Sequence, residues 1–213
     1  MSNKLLFLIG ILGVTFFAVA SFLGGFQFEN YDPVSQYISE TMAVGTPYGI
    51  TLRFFGYIPS GILLTIFSFG ALKKFPKSKL TKFGFLGLGL FYGIATIIVA
   101  IFPCDQGCNK EFIDPSISQI IHNLTGFLTY IFVPISMLMI GFGLRKSKNY
   151  LRLSTIGVIC GLICIVFIGL LISDPSTKYA GLFQRIIESL FILWIIACAI
   201  NIKRGTNSDH STY

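Results

Sequence analysis

Four ionisable side chains stand inside long apolar stretches of this sequence: Arg53, His122, Arg185 and Glu188, with the amide of Asn123 beside the histidine. A charge at the centre of a membrane helix costs about 2.5 to 3.5 kcal/mol on insertion scales and less near the ends, which makes such groups functional candidates by default. Arg185 and Glu188 are three residues apart and can pair along one helix face, while Arg53 and His122 are placed to meet them across a bundle. Two readings follow. One is an ion-pair clamp that holds helices together. The other is a polar cavity in which the arginines attract a phosphate and Glu188 with His122 sets its orientation.

The connecting segments add further polar groups. Three Asp-Pro steps occur, at Asp32-Pro33, Asp114-Pro115 and Asp174-Pro175. Asp accepts the free amides of a first helical turn, and Pro fits the first helical position. The first step opens a stretch, 33–44, with Val34, Tyr37, Ile38 and Met42 at helical spacing, ended by Gly45 and Pro47. It reads as a short amphipathic helix lying on the outer leaflet or capping the bundle. Asp32, Ser35 and Ser39 share one of its faces, so they are caps or part of a polar pocket. Cys104 and Cys108, with three residues between them, read as a local disulfide on the side exposed to an oxidising compartment. Redox chemistry is the lesser reading, because the spacing is not Cys-x-x-Cys and no further outer thiol relays electrons. Cys160, Cys164 and Cys198 fall inside apolar runs as small buried residues.

Several chemistries are excluded or disfavoured. His122 is the sole histidine in an apolar run, His210 lying near the C-terminus, so one chain cannot supply a two-histidine haem or a multi-histidine zinc hydrolase. No metal or cofactor is expected. No phosphate-binding loop, dinucleotide fingerprint or Gly-x-Ser-x-Gly elbow occurs. A Ser35, His122 and Asp105 (or Asp32) triad can be drawn, with His122 as base, but spacing alone does not bring its members together.

These groups must be positioned by six hydrophobic segments, 5–26, 51–72, 83–103, 117–143, 153–173 and 182–202. Each approaches or exceeds the roughly 20 residues that cross a bilayer, and over such lengths only helices satisfy their own backbone. Lys4, five lysines from Lys73 to Lys82, Arg145 to Arg152 and Lys203 with Arg204 fall on one side; eight of the nine acids fall on the other or at its boundary. By the positive-inside rule both termini and the basic loops are cytoplasmic. That partition explains the net charge of +7 without nucleic acid. The N-terminal run imitates a signal peptide through Ala18-Val19-Ala20, but its apolar character continues to Phe26 and reads as an uncleaved helix. The chain is then a single all-α six-helix transmembrane domain over 1–204, followed by a short disordered cytoplasmic tail over 205–213. An acid-poor, Lys-rich chain with short loops suits a bacterial inner membrane.

Asp32 to Glu40, the following Arg53, Phe102-Pro103-Cys104-Asp105, His122 and Gln184-Arg185 together resemble a prokaryotic six-helix family catalogued as a domain of unknown function, DUF998, over nearly the whole chain. A more distant similarity is to eukaryotic six-helix proteins that include the damage-regulated autophagy modulators and a factor for lipid remodelling of GPI anchors. It rests on Ile38-Ser39-Glu40-Thr41 with Pro47, on His122 to Phe127, and on Glu188. The chain departs from that pattern at Met42, where a loop Gly is expected, and at Ser189, which replaces a Trp. The resemblance implies membrane-lipid handling and transfers no catalytic residue.

The reading is a lipid-binding or lipid-organising protein, not an enzyme, with an outer-facing cavity lined by Arg53, His122, Asn123, Arg185 and Glu188 and covered by the 32–45 segment. Its partner is a membrane lipid; nothing specifies a protein partner. The rivals are an intramembrane enzyme acting on a lipid headgroup and a small-solute transporter.

Overall fold

Serines open three of the long helices. The hydroxyls of Ser2, Ser78 and Ser116 accept the amides of Leu5, Thr81 and Gln119 at 3.2, 2.9 and 3.1 Å, each capping the first turn of an apolar run. In the computed structural model, which describes residues 1–208, these runs belong to six helices: α1 (Asn3–Gly25), α2 (Gly49–Ala71), α3 (Lys79–Ile101), α4 (Ile117–Leu144), α5 (Lys148–Ser173) and α6 (Ala180–Gly205). All six are long and apolar enough to cross a membrane, and no strand occurs among the described residues. Of the stretch read as a tail, residues up to Ser208 continue the last helix, and 209–213, with His210, lie outside the described residues.

Consecutive helices pack side by side and α6 returns against α1, so the bundle is a ring in chain order. Six crossings bring the two basic loops and both helical termini to one end, where the Phe75 and Tyr150 rings meet edge to face at 5.6 Å. The acidic connections 26–48, 102–116 and 174–179 share the other end. Outward faces remain apolar: Leu12 and Phe16 on α1, Ile62 and Ile66 on α2, and Leu162 and Val166 on α5 are exposed. A helix apolar all round is one surrounded by lipid.

Two departures from regular helix matter for the site. Residues Arg53–Tyr57 of α2 and Gly89–Ile94 of α3 each form a π turn, which accommodates one extra residue and rotates the following face. Those turns bring Tyr57 and Tyr92 into the interior, where they are 1% and 2% exposed. The stretch 33–44 is not one amphipathic α-helix. A turn closed by the Gln36 amide on the Asp32 carbonyl (2.9 Å) precedes an extended Tyr37, and only Ile38–Met42 is helical, as a 3-10 turn. The Glu40 carboxylate accepts the Tyr37 amide at 2.8 Å and so starts the 3-10 turn four residues later than the apolar spacing implies.

Packing differs between the two ends. In the basic half, α4 lies close on α5 because glycines line the contact: a Cβ at Gly141 would meet Val158 and the Ser154 carbonyl, one at Gly157 the Met137 carbonyl as well as the Trp194 ring of α6, and one at Gly161 Leu138. The Ser154 hydroxyl bonds across to the Gly141 carbonyl at 2.7 Å. Toward the acidic end α4 carries Pro134, which has no amide to donate to the helix. Gly126, two turns further on, has open space where a Cβ would stand. Accordingly, Gly141→Val is expected to cost about 1 to 3 kcal/mol by overpacking. Gly126→Ala should leave the thermal unfolding midpoint unchanged or raised, since Ala is the better helix former. Equal losses in the two variants, followed through the unfolding of purified protein, would contradict this asymmetry.

Candidate functional site

Arg185 organises the acidic end. Its Nη1 donates to the carbonyls of Pro33 and Gln36 at 2.7 and 2.8 Å and to Gly181 at 3.0 Å, while Nη2 donates to the Tyr31 hydroxyl. Gly181 makes this approach possible, for a Cβ there would run into the same two loop carbonyls. The loop is pinned further by the Leu182 amide on the Val34 carbonyl (2.8 Å), the Ile38 amide on the Gln184 side chain (2.6 Å) and the Tyr37 hydroxyl on the Pro175 carbonyl (2.7 Å). Burial pushes the Tyr37 phenol up to about 12, which keeps it a donor at neutral pH. The 102–116 connection is fastened in turn by buried Gln119, which accepts the Asp105 amide at 2.7 Å and donates to the Cys108 carbonyl at 3.2 Å.

Together the 37–42 and 108–110 segments cover a cavity of about 470 Å³. Lys110 Nζ joins them through Glu40 Oε1 at 2.8 Å, the one ion pair among the described residues. Cys104 and Cys108 stand at disulfide distance, Cα atoms 4.8 Å apart, and the Ser39 hydroxyl lies 3.3 Å from Cys108 Sγ. Below the cover, α1 contributes Phe17, α2 Tyr57, α3 Tyr92 to Val99, and α4 His122 to Tyr130. The remaining wall is Leu171, Ile172 and Pro175 from α5 and its end, with Gln184 and Glu188 from α6. Phe127 of α4 and Ile172 of α5 line the cavity and are also 50% and 53% exposed.

Glu188 forms the polar floor. It is 8% exposed, and its Oε2 accepts the Tyr92 hydroxyl at 3.4 Å, with Tyr130 beside it. Eight residues separate it from Ala180, a depth of about 12 Å along the helix. His122 Nδ1 lies 2.9 Å from the Phe102 carbonyl. A carbonyl only accepts, so Nδ1 carries the proton and the ring is held in one tautomer.

The family model described as "Protein of unknown function (DUF998)" matches residues 11–201. The chain belongs to this family. Searches of curated proteins and of solved structures found no match. What the DUF998 fold here brings together is therefore read from its own geometry: an integral membrane protein of six helices with a cavity toward one end.

Of the residues singled out by sequence, Ser39, His122, Asn123, Glu188 and Cys108 line the cavity of this DUF998 protein, whereas Arg53, Arg185, Asp32, Ser35, Cys104 and Asp105 do not. Arg53 bonds within its own helix, Nε to the Gly49 carbonyl at 3.2 Å. The members of the sketched triad have separate partners. Ser35 donates to Asp32 at 2.6 Å, His122 to Phe102, and Asp105 accepts Ser116. Those bonds hold the exposed Asp32 and Asp105 carboxyls below their ordinary range, Ser35 and the Val34 amide acting on the first and Ser116 on the second. Sequence reasoning missed Tyr37, Glu40, Lys110, Gln184, Tyr92 and Tyr130. Tyr37, Gln184 and Glu40 lay within the motifs already noted; Tyr92 and Tyr130 carried no signal, and a π turn decides which way Tyr92 faces.

Removing the guanidinium should release the cover. Arg185→Gln is expected to lower stability by about 1.5 to 3 kcal/mol, the worth of hydrogen bonds to a charged group, and to expose the 26–48 segment to protease. Arg185→Lys should not restore it, since a single ammonium lacks the fork that reaches loop and tyrosine together. Arg53→Gln should stay within about 0.5 kcal/mol of the natural chain. Thermal unfolding with limited proteolysis checks all three, and an Arg53 effect equal to that of Arg185 would contradict the assignment.

Proposed function

We propose that this DUF998 protein is a non-enzymatic binding protein for a membrane lipid, held in a bacterial inner membrane with both termini in the cytoplasm and the cavity toward the outer leaflet. The observation that carries the reading is that Phe127 and Ile172, exposed on the flank of the bundle, also line an aromatic chamber floored by Glu188, and in this reading the gap between them joins the chamber to the bilayer. Cavities that bury most of a small ligand are apolar with few polar groups, and this wall has that character. An opening in the lipid-facing side of a bundle admits molecules dissolved in the membrane ahead of molecules dissolved in water.

The basic loops support the orientation, since the positive-inside rule places them in the cytoplasm. The remote similarity to eukaryotic lipid-remodelling factors points in the same direction. An acyl-transfer or hydrolytic role has less support, because Ser35, His122 and Asp105 each bond elsewhere.

Native mass spectrometry of gently extracted protein tests this. The natural chain should retain a defined lipid adduct, and Gly126→Trp, which fills open space in the cavity wall, should lose at least nine-tenths of it while its circular dichroism is unchanged. The same adduct in both proteins would sink the reading.

A further inference from the structure

Glu188 is a buried carboxylate with no cation beside it. Arg185, one turn away, is turned to the loop carbonyls, and Lys110 is paired with Glu40, so no described side chain forms an ion pair with Glu188. Its protein neighbours are hydroxyls, those of Tyr92 and Tyr130. Around it the chamber is aromatic: Phe17, Tyr37, Tyr57, Tyr92, Phe127 and Tyr130 all line it. Phe17 meets Tyr57 edge to face at 5.4 Å and Tyr92 at 6.1 Å, which fixes these rings against one another.

A buried carboxyl with no cation of its own, in a ring-lined chamber, is complementary to one chemistry. Ring faces attract cations, ammonium groups above all, and a carboxylate supplies the counter-charge that a desolvated cation needs. A phosphate would meet the opposite environment: Glu188 offers it no counter-charge, and the one cation on the wall, Lys110, already holds Glu40. We infer that the cavity selects a lipid-like molecule whose polar end is an ammonium group without a phosphate, the ammonium seated on Glu188 among the Tyr92 and Tyr130 rings and the apolar chain leaving between Phe127 and Ile172. This rests on the binding-protein reading and adds the class of ligand to it.

The assignment reverses the expectation that the intramembrane arginines gather a phosphate. Neither Arg53 nor Arg185 lines the chamber. The one ionisable acid that the ligand could meet at depth is therefore Glu188, while His122, its Nδ1 bonded to Phe102, supplies a polar wall.

Three chain-matched probes separate the possibilities: dodecylamine, dodecyl phosphate and dodecanol, each added at equal concentration to the full chain in an uncharged detergent and read as retained adduct by native mass spectrometry. The natural chain should retain dodecylamine at least tenfold over the other two. Glu188→Gln, nearly isosteric, should abolish that preference, bringing dodecylamine retention down to that of dodecanol in the same variant, and Gly126→Trp should lower all three. Equal or greater retention of dodecyl phosphate, or an amine preference that survives Glu188→Gln, overturns the ammonium assignment and leaves the binding reading standing. Retention of all three that is indifferent to Gly126→Trp overturns both.

Discussion

Arg185 and Glu188 lie one helical turn apart and do not pair. Everything at the acidic end depends on that separation. A guanidinium three residues from a carboxylate in a low-dielectric setting would ordinarily close on it. Here Gly181 lets the chain between α1 and α2 come so close that the carbonyls of Pro33 and Gln36, with the Tyr31 hydroxyl, take the guanidinium instead. The carbonyl dipoles satisfy the donor fork, the loop becomes a cover, and Glu188 is left facing the chamber with only hydroxyl partners. Were the two to pair, the cover would lose its anchor and the chamber its charge together.

The rest of the bundle supplies a rigid frame for this arrangement. Small residues weld α4 to α5 in the basic half, where Gly141, Gly157 and Gly161 allow backbone to approach backbone. Beyond Pro134, α4 carries Tyr130 and Phe127 and α5 carries Leu171, all of which line the chamber. The same pair of helices thus meets through small residues at one end and carries large, chamber-lining ones at the other. The π turns in α2 and α3 complete the chamber by aiming Tyr57 and Tyr92 inward, at the cost of regular hydrogen bonding that neighbouring helices shield from lipid.

Much of the fold was legible in sequence because membrane helices declare themselves by length and apolarity. The six spans agree with the observed helices to within a few residues, the initial serines that cap α1, α3 and α4 being the finer boundary signal. The cost of burying charge selected His122 and Glu188, and both reach the chamber. The same argument selected Arg53 and Arg185 for the same place, and there geometry intervened: an arginine has a long stem and five donors, so its charge can end far from its Cα wherever carbonyls are offered. The 33–44 stretch misled for a related reason. Its apolar spacing is helical, but Glu40 and Arg185 offer the backbone alternative partners, and those partners lie in other parts of the chain that no local pattern reveals. The aromatic lining was illegible because Phe and Tyr are abundant throughout, and only the ring of helices decides which of them share a space.

An experimental structure of the full chain in a lipid nanodisc tests the central claim most directly. The account predicts α4 and α5 parted at Phe127 and Ile172, Arg185 on the loop carbonyls, and elongated density running from that gap to a polar end at Glu188. Phe127 packed closed against Ile172, with Arg185 and Glu188 joined as an ion pair and no density between them, would contradict it.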